Sequence, residues 1–296
     1  METVKAAWAK SFSGSSSYIW EQKLKATKHA LKKWIKKPDP TPTNQGKEAV
    51  HRLHSMQIEM ENKDITAKLL DKEVKAQRSI YQSFRAEEEY WRLKSRSLWL
   101  KAGDRNTTFF HRQYRARLSR NHIADIKTSE GQVCKGFEQV KGIVEAHYRN
   151  LYSDGNQGNE EEASDFLSNI PLLVNSDENT ALCRPITDEE IIKVIWSMEA
   201  DKALGPNGFT IHFYQSCWEV IKSDLLKMIK GFMRKAKIGG GTNSTYIALI
   251  PKETNPDTFA RFRPISLCNA SYKIIAKLLA NRIKPDLQYS RRIRGR

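Results

Sequence analysis

A stretch without proline or glycine, residues 47–100, constrains this chain more than any other feature of its sequence. The absence of both helix-breaking residues over such a length favours helix. Within it Leu70, Val74, Phe84 and Trp91 keep the three-to-four-residue spacing of one helix face. Polar residues interrupt this stripe, which argues against a sustained coiled coil. The segment therefore predicts a long helix or a helical hairpin that packs along one side.

Most of the remaining sequence also predicts helices, with two short regions of strand. Helices are predicted at 19–35, 107–118, 137–151, 191–198, 211–234 and 271–283. A β-hairpin is predicted at 123–133 with its turn at Gly131, and a second pair of strands at 246–250 and 265–267. The apolar run at 246–250 is short, contains β-branched residues and ends at Pro251, which favours a strand buried on both faces.

Local signals set the boundaries of several of these helices. Three prolines between 38 and 42 end the first helix, because proline lacks an N–H and fixes φ. Thr187 followed by Glu190 is a capping box that begins the helix whose apolar face extends from Ile191 to Met198. The segment 205–208, Gly-Pro-Asn-Gly, predicts a turn between helices, with a phosphate-binding loop as the alternative.

The chain is strongly basic, with 50 Lys and Arg against 34 Asp and Glu, a formal net charge of +16 and a pI near 9.6. Clustered cations gain affinity for nucleic acids by releasing counterions from phosphates, although net charge by itself does not establish a nucleic-acid partner. Residues 1–37 and 91–122 are basic, and residues 153–190 are acidic. This uneven distribution indicates separate surfaces or segments.

The cysteines Cys134, Cys183, Cys217 and Cys268 lie too far apart in sequence for a zinc-binding motif. We expect four reduced thiols in an intracellular protein, located in the nucleus or the cytoplasm. The amino-terminal sequence lacks the apolar segment of a signal peptide, and no run of about 18 apolar residues predicts a membrane helix. We therefore expect no metal site and no membrane partner, and the oligomeric state stays open.

Several segments, in a fixed order, match motifs of one protein family. They are WLKAGDRNTTFFH at 99–111, DKALGPNGF at 201–209, IALIPK at 247–252, FRPISLCN at 262–269 and YKIIAK at 272–277, preceded by a lysine-rich segment at 23–34. Together they resemble the region that follows the endonuclease and enters the reverse transcriptase in plant LINE-type (non-LTR) retrotransposons. The resemblance covers residues 4–287, although Leu204 and Asn207 replace a proline and an aspartate of the family pattern.

The elements and the resemblance together predict an α+β fold that is predominantly helical. A helical amino-terminal half is followed by an incomplete reverse-transcriptase fingers subdomain. The predicted boundaries are 1–45 for a basic helix and proline-rich linker, 46–152 for a helical region with a short β-hairpin, 153–186 for an acidic flexible loop, 187–287 for the partial reverse-transcriptase domain and 288–296 for an aberrant basic tail. The resemblance implies an ancestral role in RNA-directed DNA synthesis, with RNA and DNA as partners.

Polymerases of this kind need carboxylates that hold two divalent metal ions about 3.5–4 Å apart. In the family these come from an F-x-x-D strand and an [FY]-A-D-D turn, and the sequence contains neither motif. Asp201, Asp257 and Asp286 match neither pattern. We therefore expect a fragment cut off before the catalytic carboxylates, with no catalytic residue and no cofactor of its own. Mg²⁺ is expected only for a full-length polymerase.

The resemblance assigns contacts with the incoming nucleotide to Arg263 first and to Lys252 second. A guanidinium fork suits phosphate oxygens, which is why the arginine leads. The alternative for Arg263 is an exposed or salt-bridged arginine at a strand end.

A basic segment that alternates with aromatic residues is the candidate nucleic-acid surface. Its cations are Arg105, Arg112, Arg115, Arg117 and Arg120. Such cations suit a phosphate backbone, and the neighbouring rings suit unstacked bases. The alternative places the rings in a core and the cations on a solvated face, with His111 as a packed histidine.

Functions without catalysis also stay open. A basic nucleic-acid-binding remnant would use the basic segments, and a helical interaction scaffold would use residues 46–100. The lysine-rich helix at 23–37 is interpreted as a solvated face, with nucleic acid or an anionic membrane as the alternative. A pseudogene product that folds poorly is the last alternative.

Overall fold

The structure, a computed structural model, describes residues 1–35, 42–61, 67–95, 107–128, 131–153, 160–168 and 174–294, with only the backbone described for 42–47, 59, 61, 68, 107, 160, 162 and 285–294. Packing divides the chain into two compact units. The first unit comprises Met1–Leu31 and Ile123–Arg296, and the second comprises Lys32–His122. Across the described residues the fold is α+β and predominantly helical, as predicted, with two small two-stranded sheets.

The helices and strands are numbered in chain order. They are α1 (Glu2–Trp8), α2 (Ser16–Ile35), α3 (Pro42–Glu61), α4 (Ala67–Ser95), α5 (Thr107–Asn121), β1 (Asp125–Lys127), β2 (Val133–Lys135), α6 (Phe137–Leu151), α7 (Glu160–Ser168), α8 (Ser176–Cys183), α9 (Asp188–Ser197), α10 (Ile211–Ser216), α11 (Trp218–Lys235), α12 (Gly240–Asn243), β3 (Thr245–Pro251), β4 (Phe262–Cys268) and α13 (Ala270–Arg294). A 3₁₀ turn at Phe259–Arg261 precedes β4.

The main core of the first unit combines the amino-terminal helices with α9, α10, α11 and α13. Trp20 of α2 is fully buried. Its ring lies 5.3 Å from that of Trp8 and 5.7 Å from that of Tyr214. Ile221 and Leu225 of α11 are fully buried in the same cluster. Although about 190 residues separate α2 from α10 in sequence, they share one hydrophobic core.

Polar contacts reinforce the packing of α1 and α2 on the rest of this unit. Lys23 Nζ and Trp8 Nε1 both donate to the carboxylate of Asp224, each at 2.8 Å. Glu21 accepts the backbone N–H of Thr242 at 2.9 Å. The amino-terminal helices are therefore attached to α11 and α12 by polar groups as well as by apolar surface.

The helix α9 begins at the capping box that the sequence predicts. Thr187 Oγ1 accepts the N–H of Glu190, and the Glu190 carboxylate accepts the N–H of Thr187 at 2.9 Å. These two bonds satisfy N–H groups that the first helical turn leaves unpaired. The buried face of α9, with Ile191 and Ile195, then packs into the core.

The segment 205–208 forms a tight turn next to α13. Gly208 adopts a positive φ of 82° and donates its N–H to the carbonyl of Gly205. A Cβ at Gly205 would lie 2.6 Å from the backbone of Asn269. Asn269 is buried and accepts the Asn207 N–H, while its amide donates to the carbonyls of residues 241, 242 and 244. These contacts support the interpretation of this segment as a structural turn.

The strands β3 and β4 pair antiparallel, with Tyr246 opposite Leu267 and Ile250 opposite Arg263. The prediction of a strand buried on both faces is wrong. Tyr246 is 59% exposed, and Ile265 is also exposed. The physical reason is that, within the described residues, β3 has a single partner strand and the apolar packing is on one face of the pair.

A second, smaller hydrophobic cluster packs against the loop end of the other face of the β3–β4 hairpin. Phe262 of β4 packs with Ile126 of β1 and Val140 of α6. The predicted hairpin at 123–133 is confirmed as β1 and β2, which pair antiparallel. Lys127 binds Asp257 twice, through its N–H to the carbonyl and through its ammonium to the carboxylate, both at 2.6 Å. This attaches the first hairpin to the loop of the second.

The second unit contains α3, α4 and α5, so the predicted helical hairpin between residues 46 and 100 is confirmed as α3 and α4. Phe110 of α5 is buried, as is Ser95 at the end of α4. The apolar stripe on α4 is less buried than its spacing predicts, because Leu70 and Val74 are both exposed.

Three further boundaries differ from the sequence predictions. The helix predicted at 211–234 is divided at Cys217 into α10 and α11. The helix predicted at 271–283 extends to Arg294. The segment 153–186, predicted as a flexible loop, contains the short helices α7 and α8. Runs of turn-forming and acidic residues thus did not prevent local helix formation there.

The four cysteines are free thiols; Cys134 and Cys217 are buried and Cys183 is exposed. Burial raises the pKa of the Cys217 thiol. Within the described ranges, no helix combines the length and the hydropathy that crossing a membrane requires.

Candidate nucleotide and nucleic-acid surfaces

Arg263 lies on the exposed face of the β3–β4 hairpin, near the loop end. Paired residues of antiparallel strands share a face, so Arg263 lies on the same face as Ile250, and Ile265 follows on that face two residues along. The Arg263 side chain is exposed, and no described carboxylate lies within ion-pair distance of it. Of the two alternative environments for this residue, the structure shows the exposed arginine and not the salt-bridged one.

Lys252, the second predicted nucleotide contact, helps to close the hairpin loop. Its ammonium donates to the carbonyl of Ala260 at 2.6 Å, and its N–H donates to the carbonyl of Arg261 at 2.9 Å. An ammonium has three donors, so two remain for other acceptors. Lys252 therefore has a side-chain hydrogen bond within the hairpin, whereas the Arg263 side chain has none to the part of the chain that the structure describes.

Arg261 carries the remaining positive charge near this loop and is paired. Its guanidinium lies 2.7 Å from Glu253 and 3.6 Å from Asp257. A hydrogen bond from Lys127, followed by its charge and that of Arg261, lowers the pKa of Asp257. The carboxylates of the loop thus neutralise Arg261 and Lys127 and leave the charge of Arg263 uncompensated. That arrangement suits an anionic ligand on the exposed face of the hairpin.

The exposed face next to Arg263 is apolar. Tyr246, Ile265 and, less exposed, Leu267 lie on it. A guanidinium at the end of an apolar surface offers a phosphate contact beside a surface suited to a base or sugar.

The second candidate surface lies on α5 in the second unit. Arg112, Arg115 and Arg120 are exposed on this helix. Arg117 is half-buried and donates a hydrogen bond to the carbonyl of Ser95 at the end of α4. A cation near the last carbonyls of a helix is favourable. Arg117 therefore joins two helices, while the other three arginines face solvent.

The structure describes only part of the predicted nucleic-acid surface. Arg105 and most of the segment 99–111 lie outside the described residues. The four other candidate arginines lie on one helix and span more than half of its circumference, at 100° per residue.

The aromatic residues beside this basic surface pack against one another. The Trp91 ring lies 3.6 Å from that of His111 and 6.0 Å from that of Tyr114. Lys94 Nζ lies 4.3 Å from the Tyr90 ring, a distance typical of a cation–π contact. His111 is thus a packed histidine, as predicted. The packed rings and the exposed arginines match the alternative that places the rings in a core and the cations on a solvated face, and nucleic-acid binding by this segment stays a prediction.

A group of lysines near the start of α13 was not predicted from the sequence as a candidate site. Lys273 and Lys277 of α13 line a cavity together with Lys202. The sequence signal was available, because residues four apart on a helix lie on one face. It was overlooked because Lys202 is about 70 residues away in sequence.

No group of three or more described His, Cys, Asp or Glu side chains is placed to bind a metal ion. Of the aspartates compared with the polymerase motifs, Asp257 is held by Lys127 and Asp201 lies in the loop after α9. The side chain of Asp286 lies outside the described residues.

No protein-family model matches the sequence. The chain is similar to the transposon TX1 uncharacterized 149 kDa protein of Xenopus laevis, with 25% identity over 195 residues. The match covers 66% of this chain and 15% of that protein. The chain therefore has a distant relative among transposon proteins and corresponds to a small part of that relative's length.

Proposed function

We propose that this chain is part of the reverse transcriptase of a non-LTR, LINE-type retrotransposon, and that the β3–β4 hairpin contacts the incoming nucleotide. The similarity to a transposon protein supports a transposable-element origin. The IALIPK and FRPISLCN segments support the assignment to the fingers, because they form the two strands of this hairpin.

The environment of Arg263 is the observation that supports the proposal. This residue is exposed, it has no carboxylate partner among the described residues, and it lies beside an apolar face. A planar guanidinium offers parallel N–H donors to two phosphate oxygens. In the proposed complex Arg263 binds the triphosphate, and Lys252 adds a second cation from the start of the loop.

The proposed role of this chain is binding and positioning, without catalysis by these residues alone. The sequence contains neither the F-x-x-D nor the [FY]-A-D-D motif that would hold catalytic metal ions. In the complete polymerase, magnesium ions would be held by carboxylates of those two motifs, which the present sequence does not contain. A primer-extension assay of the purified chain with Mg²⁺ or Mn²⁺ tests this, and incorporation of nucleotides would refute it.

The nucleotide contact is tested by titrating the purified chain with a deoxynucleoside triphosphate in a calorimeter. Arg263→Gln should weaken binding by about tenfold to a hundredfold, since a charge-assisted hydrogen bond contributes about 1.5–3 kcal/mol. Arg234→Gln is the matched control, because Arg234 is exposed on α11 in the same unit. Equal affinities for the two variants would contradict the role of Arg263.

A second candidate function is binding of nucleic-acid backbone by α5. It is favoured by the exposure of Arg112, Arg115 and Arg120. Single-stranded RNA should bind with a logarithmic affinity that falls linearly with logarithmic salt concentration. Arg112→Gln with Arg115→Gln should make that slope shallower by about 1.4, at about 0.7 per contact.

The control for this test is Arg78→Gln, because Arg78 is exposed on α4 in the same unit. It should leave the slope close to that of the original chain. RNA affinity that does not depend on salt, or an equal effect of the control, would argue against this function.

A further inference from the structure

A cavity of about 220 Å³ lies beside the first two turns of α13. Ala270, Lys273 and Lys277 of that helix form one wall. The end of α9 with the residues after it, and the segment from Phe209 to Ile211, complete the lining; the residues at the α9 end are Ser197, Met198, Glu199, Lys202 and Ala203. The three helix residues share one face, because positions three and four apart are neighbours on a helix.

The charge in this cavity is unbalanced. Its ionisable lining residues are Lys202, Lys273, Lys277 and a single carboxylate, Glu199. Glu199 lies 3.4 Å from Lys202, and both side chains are well exposed, so this pair contributes little. Two ammonium groups therefore remain without a compensating carboxylate within the lining.

Lys273 is the most buried of the three lysines. Its Nζ donates to the carbonyl of Ala203 at 2.9 Å, which leaves two ammonium donors for other acceptors. Burial is the largest influence on the pKa of Lys273 and lowers it; Cys268 opposes this shift, and repulsion from Lys202 adds to it. An anion in the cavity would compensate the charge that the protein leaves unpaired.

The direction of α13 adds to this positive potential. The helix begins at Ala270, which lines the cavity. The amino-terminal end of a helix carries a partial positive charge. Asn269 is the residue before the helix, and its side-chain oxygen accepts a hydrogen bond from the N–H of Asn207. The lysines and the helix end thus act in the same direction on a ligand in the cavity.

We infer that this cavity binds a phosphate group. Pockets that enclose whole small ligands measure about 300–1,000 Å³, so this smaller cavity suits a phosphate better than an entire nucleotide. The phosphate belongs either to the backbone of a single-stranded nucleic acid or to a free polyphosphate. The site lies on elements other than the hairpin of Arg263, and its assignment stands without the proposed polymerase function.

Lysine acylation of the full chain tests the site directly. A limiting amount of an acylating ester, followed by mass spectrometry, gives the rate at each lysine with and without a probe. The two probes are inorganic tripolyphosphate and a single-stranded oligouridylate. Either probe should slow the acylation of Lys273 and Lys277. The internal control is Lys227, which is exposed on α11 in the same unit.

Binding of the same probes to variants provides the second measurement. Lys277→Met keeps the aliphatic stem and removes the charge from an exposed position, so it should fold normally. It should weaken binding of the occupying probe about tenfold and, for oligouridylate, reduce the salt slope by about 0.7. Lys227→Met should change neither quantity.

The two probes distinguish the sources of the phosphate. If oligouridylate slows the acylation of Lys273 and Lys277 more than tripolyphosphate does, the ligand is a nucleic-acid backbone. If tripolyphosphate slows it more, the ligand is a free polyphosphate. Equal acylation of Lys277 with and without both probes, together with unchanged affinity of Lys277→Met, would overturn the site. Because neither measurement involves Arg263, its failure is distinguishable from failure of the proposed nucleotide contact.

Discussion

At the scale of single residues, Arg282 makes a concentrated set of polar contacts in the first unit. Its guanidinium binds the Glu190 carboxylate, with the closer contact at 2.9 Å, and also donates to the carbonyls of Leu182, Arg184 and Pro185. Its side chain is only 12% exposed. One residue of α13 thereby joins the end of α8 to the start of α9. The sequence did not predict this contact, because about 90 residues separate the partners.

We predict that Arg282→Lys lowers the free energy of unfolding by about 2 kcal/mol. A lysine keeps the charge but cannot replace the fork of donors, so most of the hydrogen bonds to Glu190 and to the three carbonyls are lost. Urea denaturation followed by circular dichroism gives this value. The exposed Arg234→Lys on α11 is the control. A loss as small as that of the control would show that the guanidinium geometry is unimportant.

The stability of the first unit should also depend on Glu190 in acid. The hydrogen bond from Arg282 is the largest of the causes that lower the pKa of this carboxyl from its usual value of 4.5. A depressed folded-state pKa contributes stability above the unfolded value, and this is lost as pH falls through the folded value. Between pH 6 and pH 3, the thermal unfolding temperature should therefore fall less steeply with decreasing pH for Glu190→Gln than for the original chain. Parallel curves would contradict this linkage.

At the scale of elements, α2 shows what periodicity can and cannot predict. The helix itself was predictable, because Trp20, Leu24, Leu31 and Trp34 recur at helical spacing. The structure buries Trp20 completely, yet Trp34 is 57% exposed. The spacing identifies the apolar face of the helix, but it does not predict how much of that face other helices bury. That extent depends on α10 and α11, which lie far away in sequence.

The hairpin β3–β4 gives the same lesson for the candidate site. Its strands and the position of Arg263 followed from the motif, whereas the burial of both faces did not. Burial depends on how many layers pack against a sheet, and a short apolar run gives no information on that number. The lysine cavity at α13 was missed for a related reason, since it needs Lys202 from a distant loop.

The two tryptophans on α2 give a matched comparison at this scale. Trp20→Ala should lower the free energy of unfolding by about 3–5 kcal/mol, because it removes a fully buried ring from a packed core. Trp34→Ala should change it by less than about 0.5 kcal/mol, since surface substitutions have small effects. Chemical denaturation of both variants measures the difference. Equal losses would contradict the placement of α2 in the core.

At the scale of the whole molecule, the first unit is discontinuous in sequence. Residues 1–31 fold with residues 123–296, and residues 32–122 form a unit of their own. The boundaries suggested by composition separated residues 1–45 from residues 187–287. That separation placed the first helix with the proline-rich linker, whereas its apolar residues Trp20 and Leu24 belong to one hydrophobic cluster with residues of α10 and α11. Charge described the surface of α2, and packing of its apolar face determined its unit.

We therefore predict that a chain lacking residues 1–31 loses the cooperative unfolding of the first unit. The deletion removes several buried side chains, among them Val4, Trp8, Trp20 and Leu24. Each contributes about 1.5–3 kcal/mol on burial, and their sum approaches the whole stability of a typical domain, about 5–15 kcal/mol. Adding a synthetic peptide of residues 1–35 should restore cooperative thermal unfolding in a concentration-dependent way. The same peptide with Trp20→Ala should restore it only at much higher concentration. A deletion variant that unfolds cooperatively without the peptide would show that the first unit does not require its amino-terminal helices.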